Sequence, residues 1–162
     1  MAGASGKVSR VAVIMGGPSA EREVSLSTGN ACGHALREAG YDVVEVDAGP
    51  DLPARLKVIS PDVVFNALHG TPGEDGSVQG MLDLMQIPYT HSGLTTSVIA
   101  IDKVLTKQAL LPHGIPMPGG HIVRSESLYA GDPLPRPYVL KPVNEGSSVG
   151  VAIVKADSNY GD

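Results

Sequence analysis

The chain has 162 residues, 42% hydrophobic and 18% charged, which is enough apolar mass for one ordinary domain core and excludes wholesale disorder. Its net charge is −5 and aromatic residues make up 4% with no Trp; no Lys/Arg cluster exceeds two, so a basic nucleic-acid groove and a single-strand stacking platform are both excluded. The single cysteine, Cys32, cannot form an intramolecular disulfide and reads as a small buried helix residue. The longest apolar runs fall far short of the roughly 18 residues that span a bilayer, and residues 1–7 lack the apolar core of a signal peptide. A soluble, cytoplasmic protein with no membrane or nucleic-acid partner is expected.

Residues 11–15 form a continuous apolar run closed by Gly16-Gly17-Pro18, the pattern of a buried parallel strand. Residues 20–39 change to a helical period, with Val24, Ala31, Ala35 and Ala39 on the predicted buried stripe and Gly40 as the stop. Residues 41–46 read as a second strand, 51–59 as a short helix between prolines, and 62–68 as a third strand ending at His69-Gly70. A glycine-rich loop over 71–76 leads into a helix over 77–85, with Val78, Met81, Leu82 and Met85 facing the core. Residues 87–90 read as a brief strand and 95–111 as one helix. This alternation predicts βαβ units, hence an α/β fold built on a Rossmann-like parallel sheet covered on both faces.

After Gly114 the texture changes. Residues 115–137 are rich in proline, with Ile122-Val123 as a possible strand and 125–129 as a turn of helix. Residues 138–142 and 151–155 flank the loop 144–150 and read as a β-hairpin. Two strands without a matching helix cannot bury a core of their own. The expected organisation is therefore a complete domain at 1–102 followed by the opening of a second at 103–162, the chain being a fragment.

Three segments carry chemistry. Neither GxxxxGK[ST] nor GxGxxG occurs, so Walker-type and dinucleotide readings lose their main support. Gly16-Gly-Pro-Ser-Ala-Glu-Arg-Glu23 stands at the first strand-to-helix turn, outside the carboxyl end of a strand, where open sheets bind ligands; the same pattern also serves as a plain turn capped by Ser19. His69-Gly-Thr-Pro-Gly-Glu-Asp-Gly76 sets a titratable imidazole against a glycine loop, which suits an anionic ligand or simply a satisfied turn histidine. Lys141 followed by Glu145-Gly146-Ser147-Ser148-Val149-Gly150 offers an ammonium beside a loop rich in N–H and hydroxyl donors, which suits a triphosphate or is a flexible hairpin. Lys103 is a solvated helix charge unless it points into the same cleft.

Taken together these segments resemble the D-alanine–D-alanine ligases of the ATP-grasp superfamily. The matching residues are Gly16–Ser25, Ala67-Leu-His-Gly70 with Gly73-Glu-Asp-Gly76, Gln79-Gly-Met-Leu82 and Ile87-Pro-Tyr-Thr90, then Asp102-Lys103 with Thr106-Lys107, and Lys141-Pro142 with Glu145–Gly150. The resemblance implies a pre-ATP-grasp domain followed by the truncated start of an ATP-grasp domain. It implies ATP-dependent joining of two D-alanines through an acyl phosphate, for the cell wall, in a homodimeric enzyme. It also implies roles for single residues. Glu21 holds the first D-alanine's ammonium, with His69 and Ser147 as further substrate contacts, so Glu21 and Ser147 are the implied catalytic pair. Lys103, Lys141, Glu145, Gly146, Ser147, Ser148 and Val149 bind ATP. Mg²⁺ or Mn²⁺ is implied for the complete enzyme, with no metal ligand expected in this chain. The family is about twice this length, so the 162-residue chain alone is expected to be inactive. Asn144 stands where the family often has Arg. A D-alanine–D-lactate type or other ATP-grasp ligase, and a non-catalytic Rossmann-like binding module, are the alternatives.

Overall fold

A computed structural model describes residues 9–158. The described residues form two compact units, divided between Ala100 and Ile101. In the first, three strands, β1 (Arg10–Met15), β2 (Asp42–Asp47) and β3 (Val63–Asn66), form a parallel sheet in the order β2-β1-β3. Helices α1 (Arg22–Glu38), α2 (Leu52–Ile59), α3 (Ser77–Met85) and α4 (Leu94–Ile101) complete its regular structure. β1 is central, with Ala12 opposite Val44 on one side and Val64 on the other.

Alternation along β1 divides the core into two layers. Ala12 and Ile14 join Val46, Leu52, Leu56, Val64, Val78 and Leu82 under α2 and α3. Val11, Val13 and Met15 face the other way, against Leu26 and Leu36 of α1. Both faces of the sheet are therefore covered, which is why β1 can be apolar at every inward position.

The sequence misplaces the inner stripe of α1. Val24 is 54% exposed, and Ala31, Ala35 and Ala39 also face outward, while Ser25, Gly29 and Gly33 are buried. Close approach of helix and sheet is the cause: a Cβ on Gly29 would come 2.5 Å from Met15 Cβ, and one on Gly33 would come 2.6 Å from Glu45 Oε1. Alanine at position 29 is too large for the seam, whereas at position 33 the end of the Glu45 side chain would have to move aside.

Three further expectations change. The strand at 87–90 is reduced to one parallel bridge between Val64 and Tyr89, held by Val64 N–H to Pro88 O at 2.8 Å and Thr90 N–H to Val64 O at 3.0 Å. The single helix over 95–111 is interrupted at Asp102, whose backbone is extended and whose carboxylate accepts from the N–H groups of Val104 and Leu105 at 2.8 and 2.9 Å. An aspartate at that place is a stronger helix start than a continuation. Cys32 is half-buried rather than buried.

In the second unit, α5 (Lys103–Leu110) precedes two short 3₁₀ turns, Leu111–His113 and Ser125–Ala130. Ile122-Val123 forms no strand. The hairpin is present as β4 (Tyr138–Leu140) and β5 (Ala152–Val154), antiparallel with Val139 opposite Ile153.

An ion pair fixes the carboxyl end of β2 to the start of α1. Arg22 Nη1 donates to Asp47 Oδ1 at 2.7 Å and to Gly17 O at 3.2 Å, and Gly17 N–H donates to the same Asp47 oxygen. The Arg22 hydrogen bond, helped by the Gly17 N–H, holds the Asp47 carboxyl at about 2, below its ordinary 3.8. A lowered carboxyl pKa gives stability that is complete above the unfolded value and is lost as pH falls through the folded one. Melting temperature should accordingly fall between about pH 4 and pH 2, and Asp47→Asn should flatten that fall in a pH series of melts. Gly29→Ala forces a methyl onto Met15 and should cost about 1–3 kcal/mol, read as a lower midpoint in urea unfolding.

Candidate functional site

The sheet order β2-β1-β3 places a topological switch point between the carboxyl ends of β1 and β3, where open α/β sheets bind ligands. Two loops meet there. The first leaves β1 through Gly16 and Gly17, whose φ values of 73° and 74° lie in the left-handed region that glycine adopts without a steric penalty. The second runs from Ala67 through His69 to Gly76.

Buried side chains sew the two loops together. Ser25 Oγ accepts from Gly16 N–H at 2.8 Å and donates to Ala67 O at 2.8 Å, so one hydroxyl ties the ends of β1 and β3 to α1. Ser19 Oγ donates to His69 O at 2.8 Å and accepts from Glu21 N–H at 3.2 Å. The Ser19 side chain thus spans the crevice rather than capping α1, which has no side-chain cap.

Glu21 opens α1 and is 6% exposed, and neither carboxylate oxygen has a hydrogen-bond partner. A Cβ placed on Gly70 would come 3.6 Å from Glu21 Oε1, so the carboxylate faces the second loop where that loop carries no side chain. A buried carboxylate without a donor is costly. The chemistry it asks for is a cation with N–H groups. His69 is half-buried in the same crevice, its Nε2 lying 3.2 Å from Thr28 Oγ1.

The other expected site residues belong to the second unit. Lys103, Lys107, Lys141 and His121 line a cavity of about 520 Å³ that no Asp or Glu lines. Lys103 Nζ donates to Glu145 O at 2.7 Å and Val143 O at 3.3 Å. Lys107 Nζ, one helical turn further, donates to Pro118 O at 3.0 Å. Both lysines of α5 therefore brace walls of one cavity, and Lys141 enters it from β4's end. Apolar side chains (Val104, Leu111, Met117, Val139) make up much of the rest. Such a cavity suits a ligand with a flat apolar part and several negative charges. The hairpin loop beside it holds Ser147 and Ser148 at φ 46° and 62°, a left-handed pair unusual outside glycine. Val149 N–H closes that turn onto Gly146 O at 2.9 Å.

Structure brings Glu21 and His69 into one crevice, and gathers Lys103, Lys141 and Glu145 around or beside one cavity. Sequence reasoning missed Thr28, Lys107 and His121 as site residues. Two had a signal: Thr28 lies two helical turns after Glu21, and Lys107 one turn after Lys103. His121 had none, because its place in the cavity depends on an irregular segment.

A family profile described as "D-ala D-ala ligase N-terminus" matches residues 48–92. A D-alanine–D-alanine ligase of Sphingopyxis alaskensis is 70% identical over 152 residues, covering 94% of this chain and 49% of that protein. A crystal structure of the D-alanine–D-alanine ligase from Bacillus anthracis is 37% identical and superposes with a TM-score of 0.73, over 91% of this chain and 49% of that one. Its counterpart "complexed with ATP" is 34% identical, with a TM-score of 0.72 over 92% of this chain and 51% of that one. The chain thus spans about half the length of the curated relatives it matches. Sequence and fold are thus both similar to the N-terminal portion of D-alanine–D-alanine ligases, over 94% of this chain in sequence and 91% in structure.

Proposed function

We propose that this chain supplies the first-substrate subsite and part of the ATP site of a D-alanine–D-alanine ligase acting in cell-wall peptidoglycan synthesis. The observation that carries the reading is the Glu21 carboxylate, buried at the switch point without a donor. An amino acid's ammonium brings the three N–H groups and the charge it lacks. With the ammonium held there, the substrate carboxylate is presented at a fixed distance, beside the His69 segment. Orientation of this kind converts a bimolecular encounter into a positioned one.

The acid-free cavity of the second unit, lined by Lys103, Lys107 and Lys141, supports ATP as the other substrate, and a related ligase has been solved with ATP. In the proposed reaction the γ-phosphoryl passes to a D-alanine carboxylate, ADP leaves, and the amine of a second D-alanine displaces phosphate from the acyl phosphate. Lysine charges offset the repulsion between triphosphate and carboxylate. Backbone groups of the Glu145, Gly146, Ser147, Ser148 and Val149 loop cover the phosphates, with the Val149 N–H closing the turn onto Gly146 O, and the resemblance assigns the Ser147 hydroxyl to the substrate. The irregular backbone at Ser147 and Ser148 favours a binding loop over a plain hairpin turn. Among the described residues no cluster of three His, Cys, Asp or Glu converges; the residues present do not fit Mg²⁺ or Mn²⁺, and no step here runs through a metal. No helix among the described residues is long and apolar enough to cross a membrane, and the family resemblance supports a cytoplasmic homodimer.

In the full-length protein carrying this sequence, Glu21→Gln should raise the KM for the first D-alanine about tenfold to a hundredfold, the loss of one charge-assisted hydrogen bond. The unliganded protein should melt no lower, because an unpartnered buried charge has been removed. A lowered melting point with unchanged KM would make Glu21 a structural residue. Lys103→Met should instead raise the KM for ATP by at least about tenfold, as a cation leaves the cavity, with the KM for D-alanine little changed. Steady-state kinetics varying each substrate in turn separates the two sites.

A further inference from the structure

The carbonyl of Gly73 is the most heavily held backbone group in the loop that faces Glu21. It accepts from Gln79 Nε2 at 2.7 Å and from Asn66 Nδ2 at 2.9 Å, which fills both lone pairs of one oxygen. Asn66 and Gln79 are 2% and 0% exposed. One comes from the end of β3 and the other from the first turns of α3, so the loop between them is pinned from both sides. A Cβ on Gly73 would come 2.2 Å from Leu68 Cβ, and the loop is folded that closely onto its own start. Within it, Glu74 N–H donates to Gly70 O at 2.9 Å and Gly70 N–H donates to Glu74 Oε2 at 2.8 Å. Gly70 is the residue facing the Glu21 carboxylate.

Gln79 makes this contact at a cost. Its Oε1 is buried with no hydrogen-bond partner, on a helix whose inward face is otherwise Val78, Met81, Leu82 and Met85. A methionine of similar length would fill that space with no orphaned polar atom. The side chain is therefore poorly justified as a stabiliser of the core. What it supplies is a second anchor on Gly73, and through the Gly70–Glu74 turn a fixed distance between the loop and Glu21.

We infer that Gln79 is a positioning residue: it holds the Gly70–Glu74 turn over the Glu21 carboxylate, so that an amino-acid ammonium finds the subsite already shaped. This rests on the reading of Glu21 as the ammonium's partner. The position gives up stability for pre-organisation, the trade expected where a buried polar group serves a site.

The test compares Gln79→Met and Gln79→Leu with the parent, in the full-length protein carrying this sequence. Thermal melting should show both variants as stable as the parent or more so. Hydrogen exchange at the Gly70 and Glu74 amides should quicken severalfold while the β1 amides are unchanged. The KM for D-alanine should rise about three- to tenfold, the worth of one neutral hydrogen bond, with kcat and the KM for ATP little altered. Lower melting with unchanged loop exchange would overturn the proposal and make Gln79 a core residue. Quickened exchange with an unchanged KM for D-alanine would overturn the positioning role. Glu21→Gln, run in parallel, keeps the two readings apart: an unchanged KM there refutes the ammonium site itself, whereas exchange at Gly70 and Glu74 reports on the brace regardless.

Discussion

Everything at the first site depends on β1 being paired along both edges. Its neighbours are β2 and β3, both parallel to it, so three carboxyl ends point the same way. The chain must leave β1 with sheet on both sides and helices on both faces. Gly16 and Gly17 accomplish the exit, and a side chain at Gly16 would meet Asp47 Oδ1 at 2.3 Å. The helix that follows is drawn down onto Met15 through Gly29. Glu21 is thereby carried to the mouth of the crevice and buried there.

Around that carboxylate the polar groups divide by what they cost. Ser25, buried, is satisfied by Gly16 N–H and Ala67 O, and belongs to the frame. The Arg22–Asp47 pair is half-exposed, so water screens it and its contribution to stability is modest. Glu21 and Gln79 are different, because each keeps a buried oxygen without a donor. Native structures tolerate few such atoms, and here they stand on the two elements that frame one crevice. The two orphaned oxygens of Glu21 at the switch point are a stronger indication of a ligand site than the glycine loops alone.

In the second unit charge, more than packing, describes the site. A chain of net charge −5 lines one cavity with three lysines and a histidine and no acid. Two of those lysines lean on backbone carbonyls, Lys103 on Val143 and Glu145, Lys107 on Pro118. Carbonyl oxygens hold an ammonium in place without neutralising it, so the positive field in the cavity survives. A carboxylate in either position would have cancelled it.

The order of strands and helices in the first unit was legible from the sequence, because apolar runs closed by glycine and helical periods closed by glycine are local patterns. The helix over 77–85 was predicted with the bounds observed, Ser77–Met85, and its inward face follows from a 3.6-residue period. Motif order across Gly16–Ser25, His69–Gly76 and Glu145–Gly150 carried the family likeness that the comparisons bear out. Tertiary structure alone decided which face of α1 is buried, since an alanine stripe is the better hydrophobic surface while glycine at position 29 allows the approach to Met15. It alone reduced the strand at 87–90 to a single bridge, Val64 to Tyr89. It also decided which polar side chains are left without partners. A glutamate early in a helix reads as an ordinary first-turn charge, and a glutamine between valine and glycine reads as surface. Burial of Glu21 and Gln79 depends on a loop folding back from a strand far away in sequence, and no local pattern encodes that distance.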